Sequence, residues 1–262
     1  MPAELTSAKN PLLKDVRRAI ARGGLTSDGF CIAETFHLLE EAIRSECVIE
    51  AVIASESVRA TVERRVGGLR NVNVVRVPDN LYAEISATES GQGVMALVKP
   101  PAWQLDQLVR GNPLLMILDG IQDPGNAGAI VRAAEAFGAS GVIFVKGSVN
   151  PYNPKAIRAS AGSLFRVPLV AALDPSLAVA AVSQRKIGLY AAMPRAQVSV
   201  GDTDLSQKCA FVIGSEGRGV SSILQDAAQA LRIPTSEVES LNAAVAAGIL
   251  LYEAWRQRTR AS

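Results

Sequence analysis

The chain has 262 residues, 48% hydrophobic and 20% charged, enough apolar material for one large core or two modest ones, which excludes a disordered or fibrous protein. Its 27 basic and 25 acidic residues leave a net charge of +2, so a polyanionic partner would have to be met by local clusters. Cys31, Cys47 and Cys209 form no C-x-x-C pair and His37 is the only histidine, which argues against a disulfide framework, a zinc or other metal site and Ser-His-Asp chemistry. The opening MPAELTSAKNPLLK lacks the apolar core of a signal peptide, and no run of about 18 apolar residues follows, so the expected setting is a reducing cytoplasm with no membrane partner.

In chain order, Asn10 and Pro11 predict a helix cap and first turn, and Leu12, Leu13, Val16, Ala19 and Ile20 recur at helical spacing up to Gly23-Gly24. The other face of that helix carries Lys14, Arg17, Arg18 and Arg22, either as a solvated face or as a phosphate-contacting surface. Residues 30–33, 48–54, 72–77 and 93–98 read as strands, with helical patterns at 35–44, 57–66 and 80–86 between them. This predicts a small α/β domain ending at Lys99-Pro100-Pro101, with a short helix at 105–109 before a second domain. The division expected is therefore residues 1–100, a linker at 101–111 and a second domain at 112–262. The first domain has no glycine-rich phosphate loop and no aromatic platform, so it reads as a recognition or scaffolding module.

The second domain opens with a strand at 114–119, a Pro124-Gly125 turn, Asn126 as the cap of a helix at 127–137, and a second strand at 142–145. This is a βαβ unit, whose strand-to-helix loop from Asp119 to Arg132 is the first candidate site. Lys146, Lys155, Arg158 and Arg166 read as cations flanking one cleft, which favours an anionic substrate. A helix at 154–161, another at 176–183 and strands at 187–192 and 209–213 follow. The last strand leads into Gly214-Ser215-Glu216-Gly217-Arg218-Gly219, whose G-x-x-G-x-G spacing is neither a dinucleotide fingerprint nor a P-loop and alone reads as a structural turn. A short strand closed by Pro234 precedes a polar loop, Ser240 as a helix cap, and a helix over 241–253 whose first turns hold mostly small side chains. Asn242, a poor helix former within that first turn, reads as a buried polar group, and Arg256, Arg258 and Arg260 as a frayed basic tail.

Together these segments resemble the SpoU, or TrmH-like, family of RNA ribose 2′-O-methyltransferases. Asn126, Gly128 and Arg132 match N-x-G-x-x-x-R; Ile213 to Gly219 match I-G-S-E-G-x-G; Ile233-Pro234 and Ser240-Leu241-Asn242 match I-P followed by S-L-N. The resemblance covers about residues 112–258. The first domain is also similar to the family's small substrate-binding domain, itself resembling RNA-binding ribosomal proteins. Phe30 and Glu34 fit its first-strand pattern, but Thr35 stands where the pattern has glycine, so the turn there is expected to be altered.

The resemblance implies an α/β fold with a C-terminal parallel-sheet methyltransferase domain knotted as a deep trefoil, and a homodimer formed through that domain. It implies S-adenosyl-L-methionine held by backbone groups around Gly214, Ile233 and Leu241. It also implies a catalytic set of Asn126, Arg132, Glu216, Ser240 and Asn242. The RNA is expected to be ribosomal, with transfer RNA as the alternative and no DNA; a non-catalytic RNA-binding member and an unrelated α/β nucleotide enzyme are the other readings. A conventional Rossmann methyltransferase is disfavoured, because residues 120–128 lack G-x-G spacing and Val145 is followed by Lys146 rather than an acid. A guanidinium has a pKa of ~12 or above, so the role expected of Arg132 is gripping a substrate phosphate and stabilising an alkoxide rather than acting as a base.

Overall fold

A computed structural model describes residues 3–69, 72–88 and 91–260. Contacts divide the chain into two units, Met1–Pro101 with Tyr152–Phe165, and Ala102–Pro151 with Arg166–Ser262. Segment Tyr152–Phe165, read from the sequence as part of the second domain, thus groups with the first unit, and the residues after Pro101 read as a linker group with the second.

The first unit runs β1 (Ala3–Glu4), α1 (Pro11–Arg22), β2 (Cys31–Glu34), α2 (Phe36–Arg44), β3 (Ile49–Ser55), α3 (Arg59–Val66), β4 (Asn73–Val77), α4 (Asp79–Ile85) and β5 (Val94–Val98). Its sheet has the order β1-β4-β3-β5-β2, with β4 parallel to β1 and β3, and β5 antiparallel to β3 and β2. α1 starts as its sequence predicts: the Asn10 side chain accepts from Leu12 N at 2.9 Å and Pro11 occupies the first turn, where its missing N–H costs nothing. Its apolar stripe, Leu13, Val16 and Ala19, is fully buried against Leu81, Tyr82 and Ile85 of α4 and one face of the sheet.

Thr35 supplies a correction. Its backbone takes φ 135 and ψ 156, so the positive φ of a glycine turn is kept by a β-branched residue, at a cost of about 1–3 kcal/mol. Its hydroxyl offsets part of this by accepting from Leu38 N at 3.2 Å, which caps α2. Beside it Glu34 is fully buried, accepting from Ala87 N at 3.2 Å and Thr88 Oγ1 at 3.3 Å, with Arg158 3.4 Å away.

The second unit begins with α5 (Leu105–Leu108), β6 (Leu114–Asp119), α6 (Pro124–Ala136) and β7 (Gly141–Val145). The chain then passes through α7 (Pro154–Ala159), which packs on β2 of the first unit. It continues in the second unit as β8 (Leu169–Leu173), α8 (Pro175–Gln184), β9 (Gly188–Ala192), β10 (Val198–Ser199), β11 (Cys209–Gly214), α9 (Ser222–Ala227), β12 (Gln229–Arg232) and α10 (Ala243–Arg260). All neighbours in its seven-stranded sheet, order β10-β12-β9-β11-β6-β7-β8, are parallel. The central strands β6 and β7 are buried throughout, consistent with their unbroken apolar sequences. β1, β8, β10 and α9 carry no sequence prediction; β8, LVAAL, is an edge strand with exposed alanines and a positive φ at Ala172.

α10 reaches Arg260, and its basic end is not frayed. Arg258 donates to the carbonyls of Leu205 at 3.2 Å and of Asn112 and Pro113, both at 3.1 Å, and to that of Gln207. Arg256 pairs with Glu253 one turn earlier, which holds the Glu253 carboxyl below its ordinary range. Among the described residues no helix is long and apolar enough to cross a membrane.

Candidate active site

β6 and β11 lie side by side in the sheet, and their register places Gly214 opposite Asp119. Two distant loops therefore leave the carboxyl ends of adjacent parallel strands, the place where open sheets of this kind bind ligands. Asp119, nearly buried, accepts from Ser221 N at 2.6 Å, which ties the β6 end to the segment after the glycine turn. That turn is closed by Ser215 N donating to Gly219 O at 3.1 Å and Gly219 N donating to Ser215 O at 2.8 Å, with Gly219 at φ 69. A Cβ on Gly214 would fall well inside 3.0 Å of the Gly219 and Val220 backbone, so only glycine fits there.

The first motif differs from its sequence reading. Asn126 does not cap α6; the helix starts at Pro124, and Asp123 caps it by accepting from Asn126 N at 2.7 Å. The Asn126 side chain is thereby released for tertiary contacts. Its Nδ2 donates to Glu216 Oε1 at 3.0 Å, and its Oδ1 accepts from Asn242 Nδ2 at 3.0 Å. Asn242, not Ser240, caps α10: its Oδ1 accepts from Ala244 N at 2.9 Å and Val245 N at 3.3 Å. It is exposed rather than buried. One residue from each motif thus joins a hydrogen-bonded row, Asn242 to Asn126 to Glu216, with a helix N-terminus at one end and a carboxylate at the other.

Two cavities adjoin this row. The smaller, about 240 Å³, is lined by Gly214, Ile233, Ser240, Leu241 and Glu216, together with Met193, Pro194, Leu231 and Thr235. The larger, about 760 Å³, is lined by Asn126, Glu216, Gln122, Asp123, Lys146 and Arg218 among others. Ser215, Glu216, Gly219 and Ala243 line both. The smaller cavity, more apolar than polar and walled by a backbone turn that admits no side chain at Gly214, suits a small, partly apolar ligand held close to backbone. Gly214, Ile233, Leu241, Ser240, Glu216, Asn126 and Asn242 are therefore brought together.

Arg132 is not. It stands six residues beyond Asn126 on α6, roughly 240° around the helix, exposed, lining neither cavity and making no hydrogen bond or ion pair among the described residues. Of the four cations read as flanking one cleft, Lys146 and Arg166 stand in the second unit and Lys155 and Arg158 in the first. Only Lys146 lines the larger cavity, with Asp174 3.8 Å away; Arg166 binds Glu135 at 3.1 Å. Met193, Pro194 and Arg218 had no sequence prediction as site residues, while Gln122 falls within the Asp119–Arg132 loop read as the first candidate site. Met193 and Gln122 lie just past the ends of β9 and β6, a position that parallel-strand topology marks for ligand contact.

A parallel sheet with its cavities at the glycine- and asparagine-bearing carboxyl ends of its strands defines an α/β ligand-binding site. The chain belongs to the SpoU rRNA methylase family, whose model matches residues 113–252, and a second model, the MRM3-like substrate binding domain, matches residues 10–96. A relative described as an uncharacterized tRNA/rRNA methyltransferase of Synechocystis is 32% identical over 99% of this chain and 96% of its own length. The 23S rRNA (guanosine(2553)-2′-O)-methyltransferase RlmP of Bacillus subtilis is 28% identical, covering 95% of this chain and 98% of its own. Among solved structures, the SpoU methyltransferase AviRb of Streptomyces viridochromogenes in complex with the cofactor AdoMet superposes with a TM-score of 0.88 at 27% identity, covering 96% of this chain and 99% of the other.

Proposed function

We propose that this protein is an S-adenosyl-L-methionine-dependent RNA (ribose-2′-O-)methyltransferase acting on ribosomal RNA. The observation that carries the reading is the wall of Ser215, Glu216, Gly219 and Ala243 shared by the two cavities, with the row from Asn242 through Asn126 to Glu216 beside it. When bound, S-adenosyl-L-methionine supplies an electrophilic methyl group; Gly214, Ile233 and Leu241 would hold it in the smaller cavity. The target ribose occupies the larger one. Asn126 and Glu216 fix the shared wall and orient the 2′-hydroxyl for in-line attack, Ser240 shapes the cofactor side, and Asn242 holds Asn126 from the start of α10. Arg132, exposed and outside both cavities of the single chain, takes its role from its place in N-x-G-x-x-x-R: it grips a phosphate of the bound RNA and stabilises charge as the hydroxyl loses its proton.

Ribosomal RNA is preferred to transfer RNA because the matching family model and the Bacillus relative are both named for it. The first unit serves as the RNA substrate-binding domain and the second as the methyltransferase domain, in the cytoplasm. A homodimer through the second unit is supported by α10: Val245, Ile249, Tyr252 and Trp255 leave an exposed apolar stripe at helical spacing, continued by the edge contact of Phe137 with Tyr252 at 5.6 Å. The deep trefoil knot is supported by sheet order: β12, formed late, lies between β9 and β10, and α10 then returns to pack on α6. Mapping ribose methylation in ribosomal and transfer RNA from cells with and without the protein tests the assignment. Loss of one ribosomal 2′-O-methyl group is expected. Loss confined to transfer RNA would reverse the substrate choice, and no loss together with no calorimetric cofactor binding would leave a non-catalytic RNA binder.

A further inference from the structure

The exposed face of α1 holds Lys14, Arg17, Arg18 and Arg22, separated by helical steps that keep them on one side, opposite the buried Leu13, Val16 and Ala19. None of the four makes an ion pair or side-chain hydrogen bond among the described residues. The one acid of the helix, Asp15, is engaged elsewhere, accepting from Ser27 N and Ser27 Oγ, both at 2.8 Å. Several other arginines of the same unit are paired. Arg44 pairs with Glu41 at 3.0 Å, Arg59 with Glu56 at 3.3 Å, Arg65 with Glu40 at 2.7 Å and Arg76 with Glu63 at 3.1 Å. Lys9, Arg64 and Lys155 of that unit also lack an ion pair among the described residues, but they are scattered, whereas α1 gathers four unpaired cations on one helix face in a chain whose total charge is only +2.

We propose that this face of α1 is a phosphate-docking surface that grips the RNA backbone away from the target nucleotide without reading sequence. The inference rests on the RNA reading above and names the surface of the first unit that performs the binding. Lys14 to Arg22 span about 12 Å, enough to follow several consecutive phosphates of one strand. Exposed cations with no carboxylate to displace bind a polyanion by releasing its counterions, so the contribution is salt-dependent. An acidic protein partner would be served less well, because the apolar side chains exposed among the four cations, Pro11 and Ala21, are too small to supply a desolvated contact.

The test uses the full chain. Wild type, R17Q/R18Q, K14Q/R17Q/R18Q/R22Q and K186Q/K208Q, a control that removes the same charge as the double variant, are titrated against a 23S ribosomal RNA transcript over a series of salt concentrations. Glutamine keeps helix propensity, so melting temperature and calorimetric S-adenosyl-L-methionine binding should stay at wild-type values. The expected result is a shallower salt dependence, the slope falling by ~0.7 for each phosphate that is no longer neutralised, with affinity down more than ~tenfold for the quadruple variant and KM for RNA raised at nearly constant kcat. The control should keep the wild-type slope. Equal slopes for wild type and the quadruple variant, or an equal drop in the control, would overturn the role of α1 while leaving methylation by the wild type intact. A wild type that neither binds nor methylates the transcript would overturn the functional reading itself, and this inference with it.

Discussion

Gly214→Ala tests the wall between the two cavities at its tightest point. The new methyl group would press on the backbone of Gly219 and Val220, where no flexible side chain can yield, so the turn itself must move by roughly 1 Å. That movement disrupts the paired bonds between Ser215 and Gly219, of 3.1 and 2.8 Å, each worth about 0.5–1.5 kcal/mol. Because Glu216 to Gly219 are exposed, the turn swings outward without opening the core, and the total stays near 2–3 kcal/mol. At about 2–4 °C per kcal/mol this lowers Tm by roughly 5–10 °C. The displaced wall should cost at least ~tenfold in S-adenosyl-L-methionine affinity by calorimetry, equivalent to about 1.4 kcal/mol. Gly219→Ala is the comparison: its Cβ meets no atom within 4 Å, and only the positive φ of 69 is strained, so about 1 kcal/mol is lost and the cofactor affinity falls less. Wild-type affinity in Gly214→Ala, or equal losses in the two variants, would refute the packing argument.

Asn126→Ala removes both links of the hydrogen-bonded row at partly exposed positions, so Tm should move by only a few degrees and cofactor affinity should persist, while single-turnover methylation drops by ~tenfold or more; undiminished methylation would show that the row does not position substrate. Arg132→Lys keeps the charge but loses the planar fork, and kcat should fall by ~tenfold or more with no change in cofactor binding. Full turnover would defeat the bidentate phosphate grip. Thr35→Gly exchanges about 1–3 kcal/mol of backbone strain for a few tenths of lost capping and about 0.5–1 kcal/mol of unfolded-state entropy, so thermal melting should show an unchanged or higher Tm; a clear drop would show that Thr35 is not strained. Arg258→Met keeps the aliphatic stem but removes the donors that serve four carbonyls, and should cost about 2–3 kcal/mol in denaturant unfolding. A wild-type midpoint would return the end of α10 to the status of a loose tail.

Local order was legible from residues alone. The cap at Asn10, the strand, turn and helix of β6 and α6, and the apolar runs of β7 and β11 follow from periods and propensities acting over a few positions, and the three motifs point to the family without any tertiary contact. Even the misplaced cap had a local signal, since Pro124 at the first helical position points to Asp123 rather than Asn126. What tertiary structure decided is where those pieces meet. The pairing of β6 with β11, which sets Asp119 opposite Gly214, the grouping of Tyr152–Phe165 with the first unit, the row from Asn242 through Asn126 to Glu216, and the separation of Arg132 from it all depend on positions far apart in sequence. The same holds for Arg258, whose carbonyl partners Asn112 and Leu205 come from two loops with most of the second unit's sheet between them in chain order. Each such contact is chosen by the burial of a whole sheet, a free energy summed over many side chains, and no window of neighbouring residues contains it.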